Sequence, residues 1–138
     1  MNMKILRGTV FGGITFFVLG WLIYGLLLMD FMSANSDTSI MRPESEMIWW
    51  AMILSNLIMA LVVTLILNWS GASKPVDAIK IGALIGFLIC LGIDFSMYSM
   101  TTMYNMTAII VDAIVTTIMV GITGAVIVLT WGKSKAAD

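Results

Sequence analysis

Two aspartates, Asp94 and Asp112, stand inside long apolar runs of the chain. A carboxylate in a low-dielectric interior is costly and normally faces a bundle interior, a partner or water. Two carboxylates in contact there do not readily both ionise; they share a proton or hold a cation between them. Tyr24 and Asn56, each on a different apolar run, add hydrogen-bonding side chains. Together Tyr24, Asn56, Asp94 and Asp112 have the composition of a polar pocket that binds or relays a cation or a small solute. The same four residues would also serve as interhelical hydrogen bonds that only hold helices together. A second candidate is the run Met97, Met100, Met103 and Met106, spaced by three. Thioethers are soft ligands that select copper(I), and M-x-x-M steps on one helical face would place them together. Methionine is equally a flexible apolar filler.

Enzymatic chemistry finds little to work with. The chain has no histidine and one cysteine, Cys90. That removes the commonest general base and metal ligand, histidine-ligated haem and most zinc chemistry. No P-loop, no dinucleotide-binding glycine pattern and no C-x-x-C is present. The expectation is a protein that is not an enzyme and carries no cofactor, copper(I) at the methionines being the one exception considered.

The elements that must position these residues are membrane spans. Of 138 residues 60% are hydrophobic and 11% charged, and mean hydropathy is +1.03. Soluble domains carry roughly 25% charged residues. The chain is therefore expected to be an integral, multi-pass membrane protein whose main surroundings are the lipid bilayer. A net charge of −1 offers no basic surface for nucleic acid.

Four spans are expected, at about residues 8–29, 47–69, 78–100 and 106–131. The first follows Lys4 and Arg7 and is too long for a signal-peptide core of roughly 7–15 residues, so it reads as a retained span. Trp49 and Trp50 at one end of the second span and Trp69 at the other suit the two membrane interfaces. Between the first two spans lies the one long loop, 30–46, which is acidic and has room for a short surface helix; residues 43–46 read as the first turn of the second span, with Pro43 leading two acidic residues. In the third span Ala78, Gly82, Gly86, Cys90 and Asp94 recur every fourth position and share one helical face. Four of them are small, so another helix can approach closely.

Lysine and arginine counts set the expected orientation. With both termini cytoplasmic, the inner segments hold Lys4, Arg7, Lys74, Lys80, Lys133 and Lys135, and the outer segments only Arg42. Such a bias argues against insertion in both orientations, and so against a small multidrug-resistance exporter, whose first-span glutamate is also missing. Counting about 1.5 Å per residue, Tyr24, Asn56, Asp94 and Asp112 all fall in the outer half, roughly 9–14 Å in.

The segment from Phe16 to Leu28, with Leu19, Gly20 and Tyr24, resembles the opening of a family of small bacterial four-span membrane proteins of unknown function. The small-residue loop S-G-A-S before the third span, and Asp112, Gly121 and Gly124 in the last, are similar to that family's layout. The outer loop and the methionine run depart from it. The resemblance implies the four-span layout and says nothing of mechanism.

The resulting expectation is one all-α domain over residues 1–138: an antiparallel bundle of four transmembrane helices, both termini cytoplasmic, in a bacterial-type inner membrane. A chain this small encloses little volume, so a conducting path would need a homo-oligomer, most simply a dimer. The leading function is an outward-facing polar pocket that binds or moves a cation or small solute. The alternative is a non-transporting subunit or scaffold.

Overall fold

A computed structural model describes residues 2–132. Lys133 and Lys135, used above for the charge bias, lie outside the described residues. The described chain is all-helical. Helix α1 covers Met3–Leu22 and runs without a break into a π-helical turn, Ile23–Leu27. A short α2, Met29–Asn35, follows. Three long helices complete the fold: α3 Trp49–Trp69, α4 Pro75–Met100 and α5 Met106–Thr130. The segments Met3–Leu27, Trp49–Trp69, Pro75–Met100 and Met106–Thr130 are each long and apolar enough to cross a membrane, so the chain is a candidate multi-pass membrane protein.

Local chemistry explains most boundaries. Asn2 caps α1, its side chain accepting from the Lys4 N–H at 3.0 Å. Pro75 opens α4, where a missing N–H costs nothing. Asn105 caps α5, its side chain accepting from the Ala108 N–H at 2.8 Å. Helix α1 begins at Met3 and α4 at Pro75, earlier than the expected residues 8 and 78, and the start of the second span differs too. Residues 43–46 do not begin the second span: Glu44–Glu46 is a separate 3-10 turn, Met47 is extended at φ −65° and ψ 135°, and the helix starts at Trp49. Three acidic or polar residues stay with the loop, and the helix begins where the apolar run begins.

Helix α5 is the centre of the bundle. Ten of its residues are buried, against four in α1, four in α3 and five in α4. Its contacts with α4 explain the four-residue series. The five buried residues of α4 are Ala78, Gly82, Gly86, Cys90 and Asp94. A Cβ on Gly82 would stand 2.6 Å from the Val120 carbonyl oxygen, and one on Gly124 would stand 2.7 Å from that of Ala78. Backbone therefore touches backbone, which only glycine allows. The facing pairs run 78 with 124, 82 with 120, and 86 with 116. Helix α1 packs similarly on α3, Gly8 against Thr64, Gly12 against Ala60 and Gly13 against Leu57.

Where α1, α3 and α5 meet, Val63, Thr64, Leu67 and Ile127 are fully buried. Across the same end of the bundle, the Lys4 ammonium stands 4.0 Å from the centre of the Trp131 ring. At the opposite end the loop after α2 docks on the turn between α4 and α5. The Asp37 N–H donates to the Met103 carbonyl at 2.7 Å and the Asn105 N–H to that of Asn35 at 3.2 Å. The Asn105 side-chain amide adds a bond to the Asn35 side-chain oxygen at 2.9 Å.

Candidate functional site

The small-residue face of α4 ends in two polar side chains. Cys90 and Asp94 are one turn apart on the same face, so both point at α5. There they meet Asp112, which lies one turn before Thr116 on the facing side of α5. The Cys90 thiol reaches Asp112 Oδ2 at 3.1 Å and Asp94 Oδ2 at 3.3 Å. From the third side comes Tyr24, carried on the π-helical turn that continues α1. Its hydroxyl donates to Asp112 Oδ1 and lies 3.3 Å from the Thr116 hydroxyl. Since the tyrosine proton is committed to the carboxylate, Thr116 is the donor in that second contact.

The π turn matters to this arrangement. An extra residue in the turn closes an i to i+5 bond, from the Leu28 N–H to the Ile23 carbonyl at 2.7 Å. Such turns re-aim side chains and are frequent at functional sites. Here the turn carries Tyr24, the one residue of this helix hydrogen-bonded to the cluster on α5.

Three potential ligand atoms, the Cys90 sulfur and one oxygen each from Asp94 and Asp112, lie within 4.8 Å of one another. Asp94 and Cys90 are only 6% and 7% exposed. The donor count is small for so buried a cluster. Among the described residues the hydrogen-bond partners of the two carboxyl groups are one hydroxyl and one thiol. The one S–H is shared between the two carboxyl groups, whereas Asp112 also accepts from Tyr24.

A polar cleft opens just beyond the cluster. It is lined by residues of the docked loop, including Asn35 and Asp37, and by the turn residues Thr101 to Asn105. Tyr104, in this turn, is half-buried. Burial pushes its phenol above the ordinary tyrosine value, and the carboxylates of Asp112 and Asp94 push the same way. Tyr104 lines the cleft.

Of the residues expected from the sequence, Tyr24, Asp94 and Asp112 come together. Asn56 does not join their hydrogen-bond network: its side-chain amide donates to the Met52 carbonyl of its own helix at 2.8 Å. Nor do these four line the cleft. The methionines do not share one helical face. Met97 and Met100 end α4, Met103 lies in the turn and Met106 opens α5. The helix stops because Thr101 is extended, at φ −138° and ψ 166°, so the spacing of three loses its helical meaning beyond Met100. Met100 is 71% exposed. Cys90, Thr116 and Tyr104 were not singled out from the sequence as site residues. The signal for the first two was present, since each lies four positions from an aspartate on the same helix face. Tyr104 had no such signal.

No family model, no curated protein and no solved structure matches the chain.

Proposed function

We propose that this is a small multi-pass protein of a bacterial-type inner membrane that binds or moves a cation at the Asp94–Asp112 cluster. The observation that carries the reading is the meeting of two carboxyl groups inside the bundle with the Cys90 thiol between them. In this reading the four spans run antiparallel with both termini cytoplasmic. The facing pairs along α4 and α5, and along α1 and α3, support that arrangement, as does the excess of lysine and arginine in the segments assigned to the cytoplasm. The cluster then lies in the outer half, beneath the turn that carries Tyr104, and the cleft is the approach to it. Copies of the chain pair to form any conducting path, and no catalytic turnover is involved.

A second reading is a scaffold or subunit whose polar residues only hold helices. One observation favours it: Tyr24, Thr116, Asp112 and Cys90 already satisfy one another, and the cleft is lined by other residues.

Thermal unfolding of the purified protein in detergent, against a panel of alkali, alkaline-earth and transition-metal cations, separates the two. A ligand at 100 times its Kd stabilises the folded state by about 2.7 kcal/mol. The cation reading expects at least one ion to raise the Tm of the wild type and not that of Asp94→Asn. If no ion shifts the wild type, and Asp94→Asn changes only assembly, the scaffold reading stands.

A further inference from the structure

We propose that Cys90, Asp94 and Asp112 form the site for one divalent metal ion of borderline softness, of the zinc and cobalt class. The inference rests on the cation reading above and names its ion class. It does not involve the methionines.

The geometry is close to what such an ion needs. A tetrahedral zinc bonds sulfur at about 2.3 Å and carboxylate oxygen at about 2.0–2.2 Å, which sets sulfur and oxygen about 3.6 Å apart. The Cys90 sulfur is 3.1 Å from Asp112 Oδ2 and 3.3 Å from Asp94 Oδ2. An outward shift of a few tenths of an ångström would admit the ion, within the rotamer freedom of three side chains.

A separate observation concerns Asp94. It is 6% exposed, and its one hydrogen-bond partner among the described residues is the Cys90 thiol. That thiol is a weak donor, carries one proton, and stands closer to Asp112. Asp94 is thus a buried carboxyl group aimed into the cluster whose one donor among the described residues is a weak thiol shared with Asp112. Buried charges of this kind are met by pairing or by coordinating a metal.

The surrounding residues suit a metal site. Tyr24 donates to Asp112 Oδ1, which leaves Oδ2 facing Cys90. Outer partners of this kind fix the orientation of a ligating carboxylate. The ligand set decides the ion class. Magnesium and calcium prefer oxygen alone, whereas a thiolate with two carboxylates suits a borderline ion. Three protein ligands leave a fourth position for water or an exchanging group. On binding, the thiol releases its proton to solvent, as does the carboxyl pair if it holds one, so affinity falls as pH falls.

The test is a cobalt(II) titration of the purified full-length protein in detergent. The expected result is a thiolate-to-cobalt charge-transfer band in the near ultraviolet that saturates at one ion per chain. Zinc should displace it, and magnesium and calcium at the same concentration should not. Cys90→Ser should lose the band, Asp94→Asn should weaken binding ~10-fold or more, and Met97→Leu with Met100→Leu should leave it unchanged. If Cys90→Ser does not fold, alkylation of the wild-type thiol replaces it: zinc must slow modification of Cys90, and an unchanged rate overturns the site. The proposal is also overturned if no band forms, or if the band persists in Cys90→Ser. If the band is missing but an alkali or alkaline-earth ion still stabilises the wild type through Asp94, the ion class is wrong and the cation reading survives. If both are missing, both fall.

Discussion

The Cys90 thiol stands 3.1 Å from an oxygen of Asp112, a residue on the neighbouring helix and 22 positions away. This contact is made at the end of a face along which α4 and α5 approach to backbone distance. The glycines bring the helices together, and the close approach lets a side chain as short as cysteine bridge them. Cys90→Ala removes the one donor that Asp94 has among the described residues, and an unsatisfied buried group costs about 1–3 kcal/mol. Cys90→Ser keeps a donor. Thermal unfolding in detergent should therefore rank wild type and Cys90→Ser above Cys90→Ala. Equal Tm values for all three would show that Asp94 does not depend on the thiol.

Two glycines of α4 should behave oppositely. A Cβ at Gly82 would meet the Val120 carbonyl at 2.6 Å, while one at Gly92 would meet nothing within 4 Å. Gly82→Ala should push α4 and α5 apart and lower stability by about 1–3 kcal/mol. Gly92→Ala should be neutral or stabilising by up to ~1 kcal/mol, because alanine is the better helix former. Tm measurements on the two variants check both signs, and a loss at Gly92 as large as that at Gly82 would contradict the packing described.

Asn105 has two tasks. It caps α5 through the Ala108 N–H and ties the turn to Asn35. Asn105→Ala should cost about 0.5–2 kcal/mol for the lost cap and also free the docked loop. Asn105→Asp keeps a cap acceptor but cannot donate to Asn35. Hydrogen exchange over residues 35–37 should speed up in both variants, with the stability loss confined mainly to Asn105→Ala.

The raised ionisation of Tyr104 gives a pH dependence with a definite sign. Its neutral form is favoured in the folded state, by burial first and by the negative cluster second. The stability this contributes is fully present below the ordinary tyrosine value of about 10. It is lost as pH rises from there through the higher folded value. Wild type should thus lose stability above about pH 10 more steeply than Tyr104→Phe. Parallel curves for the two proteins would place Tyr104 in solvent.

Much of this molecule is legible in its residues taken one element at a time. Hydropathy alone determines four long apolar helices, because a span must satisfy its backbone internally and present apolar side chains around its whole circumference. The face Ala78–Gly82–Gly86–Cys90–Asp94 is legible too, since a period of four on a helix names one side without reference to any neighbour. Which helix that face meets is a tertiary matter. Tertiary structure also decides that Asp112 stands opposite Cys90, that a π turn carries Tyr24 to Asp112, and that Asn56 spends its amide on its own helix. Side chains far apart in sequence meet only when helix rotation and offset are set, and those depend on the fit of whole faces. The methionines show the converse: a regular spacing promises a common face only while the helix continues, and α4 ends at Met100.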